Sequence, residues 1–245
     1  MTNNREIYRR YWWQFAEKRR ALHAAIASLK HVLVRAEAAN IHSMAFVPTT
    51  ITFSNKLCVF TYDHFSYFAI LQSAFHEEWA RYYAPTMRTD MSYSISDCFE
   101  TFPLPAILPA LEDIGKSYYE LRRGIMLDRQ EGLTKTYNRF HNAEETSEDI
   151  QRLRDLHANM DRAVAAAYGW PDLDLAHGLR ETKQGVRFTI SEPARREVLA
   201  RLLKLNHDRY AEEVKQGLHD KNRAAKGKRR GAKKRASSSA PDLFD

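Results

Sequence analysis

The sequence predicts an α+β protein: a small aromatic-rich β region flanked by helices, followed by a helical domain and a disordered basic tail. Three observations carry this. Between Ala38 and Tyr62 the apolar residues come in short β-branched or aromatic runs, the pattern of strands. From Ala106 to Ala167 they recur every three or four residues, the pattern of amphipathic helices. Between these regions stand Pro103 and Pro105, which lack amide donors and fix φ, so the chain there is neither helix interior nor central strand. The expected divisions are residues 1–105 (α+β), 106–168 (a helical hairpin), 169–214 (a β-hairpin and a last helix) and 215–245 (the tail).

Taken in order, Arg5 to about Glu37 reads as one long helix, because Ile7, Tyr11, Phe15, Leu22, Ile26, Leu29 and Leu33 keep helical spacing. Arg19 and Arg20 fall on its solvated face. Thr50 to Phe60 suits a hairpin turning at Asn55, with Phe46-Val47-Pro48 as a further short strand. Tyr67 to Tyr83 returns to helix, with Phe68, Leu71, Phe75 and Trp79 on one face and Pro85 as its stop. His76 has Glu77 and Glu78 beside it, but residues one and two apart on a helix do not face each other. A surface histidine is expected there. The stretch Ser92 to Pro105 should run extended, anchored by Phe99 and Phe102.

After Pro105, Leu108 to Leu127 forms a first amphipathic helix, Leu133 to Phe140 a short turn, and Ser147 to Tyr168 a second helix. Gly169 ends it. Leu179 to Ile190 reads as a hairpin around Lys183-Gln184-Gly185, and Ser191-Glu192-Pro193 opens the last helix as an N-cap with an early proline.

Charge is concentrated at one end. The net charge is +7. Between Lys215 and Arg235 ten Lys and Arg residues face Asp220 alone, so residues 1–214 are close to neutral. Hydrophobic pattern is lost beyond Val214, as expected of a disordered segment. The tail closes on Leu243-Phe244, read as an inert end, with docking in a groove of another protein as the alternative. Cys58 and Cys98 fit neither a disulfide framework nor a zinc site and are expected to be small buried apolar residues. No run approaches the ~20 apolar residues of a membrane helix, and the N-terminus lacks a signal-peptide core. A cytoplasmic protein with no membrane partner is expected.

The run Tyr93-Ser94-Ile95-Ser96-Asp97-Cys98-Phe99-Glu100-Thr101-Phe102-Pro103-Leu104-Pro105 resembles a signature near the end of the target-recognition region of adenine-specific DNA methyltransferases. These are the MmeI-like and TaqI-like enzymes of type IIG/IIL restriction–modification systems. The flanks add to the likeness: Trp12-Trp13-Gln14-Phe15, Phe46-Val47-Pro48, Leu57-Cys58-Val59-Phe60, Phe68 to Ser73, His76 to Trp79, Tyr168-Gly169-Trp170-Pro171 and Val198 to Asn206. It spans roughly Tyr8 to Val214. It implies a DNA-specificity module with double-stranded DNA as partner and a helical part that supports recognition. It does not imply catalysis on this chain.

Arg88 and the hydroxyls of Ser92, Tyr93 and Ser94 are the candidates for base or phosphate contact. Arginine offers a planar fork to guanine or phosphate, and tyrosine stacks or hydrogen-bonds. In the tail, Lys228, Arg229, Arg230, Lys233, Lys234 and Arg235 are candidates for phosphate pairing. No catalytic, cofactor-binding or metal-binding residue is expected. An amino-methyltransferase of this family needs a glycine-rich S-adenosylmethionine loop and an Asn/Asp-Pro-Pro-Tyr motif. No two glycines here have G-x-G spacing and no two prolines are adjacent. The cofactor is expected on a catalytic domain missing from this chain, which is then either a separate specificity subunit with a methyltransferase partner chain or a C-terminal remnant. Two other readings remain. One is a helical scaffold that does not bind DNA. The other is a metal-dependent endonuclease, since Pro171-Asp172 and Glu181-Thr182-Lys183 have P-D…E-x-K spacing.

Overall fold

In a computed structural model, Glu6, Arg10 and residues 19–87, 90–106 and 109–218 are described. A short helix, Arg20–Ile26 (α1), leads into His31–Ala36 (β1), the central strand of an antiparallel sheet. Its neighbours are Ala45–Pro48 (β3) and Leu57–Phe60 (β4); Ala38–Ala39 (β2) lies between β1 and β3 in the chain. This corrects the expected long helix beyond Ile26, most of its expected part before Arg19 lying outside the described residues, and it corrects the expected hairpin at Asn55. Val32, Leu33, Val34 and Arg35 are all buried, because β1 is covered on both faces. Val32 and Val34 pack with Ile26 and Phe53 in a small cluster, and Leu33 joins the main core. A strand covered on both faces reads as a continuous apolar run, and here that run happened to prolong a helical spacing. Leu57–Phe60 pairs with β1, and Thr50 to Phe53 forms no strand.

The expected helix from Tyr67 to Tyr83 is two helices, Phe65–Gln72 (α2) and Ala74–Tyr83 (α3). Ser73 is extended between them, and its Oγ caps α3 by accepting from His76 N. Five consecutive residues of α2, Phe68 to Gln72, are buried, so α2 is a central helix with no solvent face. The core extends from Leu33 to Leu202 around it.

Two strands, Thr86–Met87 (β5) and Asp90–Ser92 (β6), join β2 in a second sheet of order β2-β6-β5. The signature then departs from the extended path. Ile95–Phe99 forms one π-helical turn, closed by Glu100 N–H donating to Ile95 O at 2.9 Å. Phe102 is 5% exposed, and Phe99 is half-buried against Phe60 and Tyr62.

The helical part follows as Pro109–Asp128 (α4), Leu133–Phe140 (α5) and Glu148–Ala167 (α6); Leu133 to Phe140 is a helix of two turns rather than a turn. Helix α4 packs on both α2 and α6. Gly115 allows the first contact, because a Cβ there would stand 2.3 Å from Phe65 O. Glu112 then caps the α2 N-terminus, accepting from Phe65 N at 3.1 Å and Ser66 N at 2.7 Å, where both free amides and the helix dipole favour a carboxylate. Gly169, at φ +75, terminates α6 in the left-handed position glycine adopts without strain. Gly178–Thr182 (β7) and Gly185–Thr189 (β8) form the expected hairpin. Glu192–Lys215 (α7) closes the described chain, with Ser191 Oγ accepting from Ala194 N. Among the described residues no helix is long and apolar enough to cross a membrane.

Candidate nucleic-acid interface

The signature is held from three sides. Trp79 Nε1 on α3 donates to Thr101 Oγ1 at 3.2 Å, and from α7 Asn206 Nδ2 donates to Thr101 O and Arg209 Nη2 to Leu104 O. Phe102 lies edge-on to His76, with ring centroids 4.6 Å apart. The prolines thus close the segment against a fixed wall of helices.

Of the candidate contact residues, Ser92 ends β6 opposite Ala38 and is half-buried. Ser94 is also half-buried, its hydroxyl 2.8 Å from that of exposed Ser96. Arg88 falls on the two-residue connection between β5 and β6, and Lys228, Arg229, Arg230, Lys233, Lys234 and Arg235 on the tail; all seven lie outside the described residues. Tyr93 is placed otherwise. It is 2% exposed, its hydroxyl is hydrogen-bonded to His76 Nε2 at 2.8 Å, and its ring carries the Arg35 guanidinium 4.1 Å above the centroid. In this conformation it presents no face to a base. Burial also pushes its phenol well above the usual value.

His76 corrects the expectation of a surface histidine, being fully buried. The buried face of α3 spans two adjacent rows, Phe75 with Trp79 and His76 with Ala80, so a histidine beside two glutamates still points inward. Burial holds it neutral, far below its ordinary pKa. His42 Nε2 donates to Leu71 O at 2.7 Å, and burial, with Arg35 adding, lowers it to about 3. Arg35 is 2% exposed, and among the described residues its guanidinium nitrogens have no hydrogen-bond partner beyond the Tyr93 ring.

A second polar network ties the β region to the helical part. Arg122 on α4 is 2% exposed and donates to Met44 O at 2.7 Å, Tyr137 OH at 2.9 Å and Gln72 Oε1 at 3.2 Å. A third centres on Asp161 of α6. Its Oδ1 accepts from Ala74 N at 2.9 Å, and its Oδ2 faces His177 Nε2 at 2.8 Å and His157 Nε2 at 3.5 Å. His177 borders a cleft of about 600 Å³ lined also by Arg162, Asp174 and Phe188. None of these networks has a sequence signature, since each joins residues from distant parts of the chain.

Between α3, the hairpin and the start of α7 runs a groove lined by Arg81, His141, Gln184, Arg187 and Arg195 with Glu77 and Glu78. Burial would raise the Glu77 carboxyl, but Arg81, 2.6 Å away, outweighs it and the group falls to about 2. Burial wins at Glu78, pushed up to about 7 although Arg195 is 2.9 Å away.

The residues of the nuclease pattern are otherwise engaged or apart. Asp172 takes both Nη1 and Nη2 of Arg201 at 3.2 and 2.9 Å, while exposed Glu181 stands on β7 opposite Val186. Among the described residues no three or more His, Cys, Asp or Glu side chains form a group able to hold a metal ion. Both cysteines are free and buried.

Residues 8–106 match the family model described as the target recognition domain of MmeI. A solved structure of the type IIL restriction-modification enzyme MmeI in complex with DNA is similar to this chain at 19% identity and a TM-score of 0.49. The similarity covers 75% of this chain and 22% of that one, so the chain spans about a fifth of its length. No curated protein matches.

Proposed function

We propose that this chain, whose residues 8–106 carry an MmeI-like target-recognition domain, is the DNA-specificity module of an adenine-N6 restriction–modification methyltransferase. The observation behind this reading is that match, which ends one residue beyond the signature at Pro105. On this reading the partner is double-stranded DNA, met in the cytoplasm. S-adenosylmethionine and methyl transfer belong to a catalytic domain elsewhere, on a separate chain or a longer polypeptide. The residues reported above fit a binding role. The β2-β6-β5 sheet brings Ser92 to the start of the signature, while buried Tyr93 and Phe102 hold that edge to α3.

The test is selection of duplexes with a randomised segment by the purified full chain. Enrichment of a short common sequence, retained at physiological salt, is the expected result. Failure to hold duplex DNA at any salt concentration removes this reading and leaves the helical scaffold. Incubation with labelled S-adenosylmethionine and the selected duplex should give background incorporation from this chain alone.

A further inference from the structure

Arg180 and Arg187 stand directly opposite one another in the β7–β8 ladder. Residues so paired share one face with Cβ atoms about 5 Å apart, and like charges there destabilise the pair. Lys183 adds a third positive charge at the turn.

Several arginines of the fold are matched to carboxylates, and these three cations are not. Arg81 meets Glu77, Arg129 meets Asp149, Arg139 meets Glu131 and Glu145, and Arg201 meets Asp172. Among the described residues Arg180, Lys183 and Arg187 form no ion pair. Arg180 Nη2 reaches the Ala176 carbonyl at 2.9 Å, and Arg187 reaches the Val186 carbonyl and Asn40 Oδ1, each at 3.3 Å. Glu181, next in sequence, projects to the opposite face of the ribbon, opposite Val186. The ribbon is open to solvent, with Leu179 and Val186 at 36% and 40% exposure. Burial and the neighbouring Arg81 charge lower the Arg187 guanidinium below its usual value.

Its position ties this charge to the recognition sheet. Asn40, which Arg187 holds, directly follows β2, and β2 pairs with the strand that ends at Ser92. We infer that the β7–β8 hairpin is a second DNA-contacting arm, outside residues 8–106, that binds backbone phosphates of duplex DNA through Arg180, Lys183 and Arg187. A phosphate between the two opposed arginines offsets their repulsion and uses the donors that no carboxylate takes. Contacts of this kind position a protein on DNA without reading its sequence. The inference rests on the DNA-recognition reading above.

The experiment compares the full chain with its Arg180→Ala/Lys183→Ala double variant on two unrelated duplexes across a range of salt. Both side chains are exposed, so thermal unfolding should be unchanged, and Arg187 is kept for its bond to Asn40. Each phosphate neutralised adds roughly −0.9 to the slope of log K against log salt, so the double variant should be shallower by about 2 on both duplexes. Arg196→Ala, which removes an arginine already paired with Glu192, should leave the slope as it was. An unaltered slope in the double variant overturns the hairpin assignment alone. A loss confined to one duplex also overturns it, because a phosphate contact does not choose between sequences. Absence of duplex binding by the unaltered chain overturns the DNA-recognition reading itself, and the hairpin assignment with it.

Discussion

The hydroxyl of Tyr93 and Nε2 of His76 stand 2.8 Å apart in the interior, at 2% and 0% exposure. The signature tyrosine therefore serves to anchor the end of the β2-β6-β5 sheet to α3. Tyr93→Phe keeps the ring under Arg35 but leaves a buried imidazole nitrogen without its partner, which costs about 1–3 kcal/mol. Urea unfolding should show that loss, while the affinity of the folded variant for duplex DNA stays at its original value. Weakened DNA binding with unchanged stability would show instead that the hydroxyl turns outward to DNA.

Arg122 performs the corresponding task between the β region and the helical part. Its contacts with Met44, Gln72 and Tyr137 satisfy a carbonyl, an amide oxygen and a phenol that have no water to turn to. Arg122→Ala removes these donors and opens a cavity, and should cost about 3–5 kcal/mol, the range for breaking a buried charged network from one side. Arg122→Met, which refills the volume, should recover part of that in denaturant unfolding. Full recovery of the original stability by Arg122→Met would mean that the donors contribute nothing.

Acid should destabilise the fold through histidines that its interior holds neutral, one buried and one half-buried. His42 and His141 are lowered by burial to about 3 from an ordinary value near 6.5. The folded chain then keeps them neutral while the unfolded chain protonates them, so their contribution is present above pH 6.5 and is lost as pH falls toward 3. Each should remove on the order of 1 kcal/mol per pH unit in that window. Glu78 acts with the opposite sign, since its carboxyl is raised to about 7 and stability from it grows as pH falls from 7 toward 4.5. Two histidines outweigh one carboxyl, so the urea midpoint should drop between pH 6.5 and 5. His141→Asn should flatten that drop and Glu78→Gln should steepen it. A midpoint indifferent to pH would mean that water reaches these groups.

What could be read from the sequence was set by how local its cause is. The hairpin at 178–189, the Ser191 cap and the two long helices that follow Pro105 depend on turn chemistry and spacing within a few residues, and they appear where expected. Phe102 is the core anchor that its neighbouring prolines suggested, whereas Phe99 is only half-buried because it lies at the rim against Phe60 and Tyr62. Strand β1 was misread because burial on both faces erased the alternation that marks a strand. His76 was misread because its hydrogen-bond partner is 17 residues away, beyond any local pattern. The opposed Arg180 and Arg187 were invisible until the register was known, although both charges were in plain view in the sequence.

The tail should add affinity without adding specificity. Beyond Leu218 it carries nine Lys and Arg residues with no aromatic residue among them, a composition suited to phosphates and without the means to read base edges. If about half of these charges engage, removing residues 219–245 should flatten the salt slope by around 4, at roughly 0.9 per phosphate. The hairpin variant acts on a different set of charges, so combining it with the truncation should lower the slope by the sum of the two effects. The preference between duplexes should survive in both, since it resides in residues 8–106 on the proposed reading. The measurement is a salt titration of the full and truncated chains on the selected duplex and on a scrambled one. A slope untouched by truncation would show that the tail does not meet DNA. A preference lost with the tail would show that it reads sequence, and would move specificity out of the domain that carries the signature.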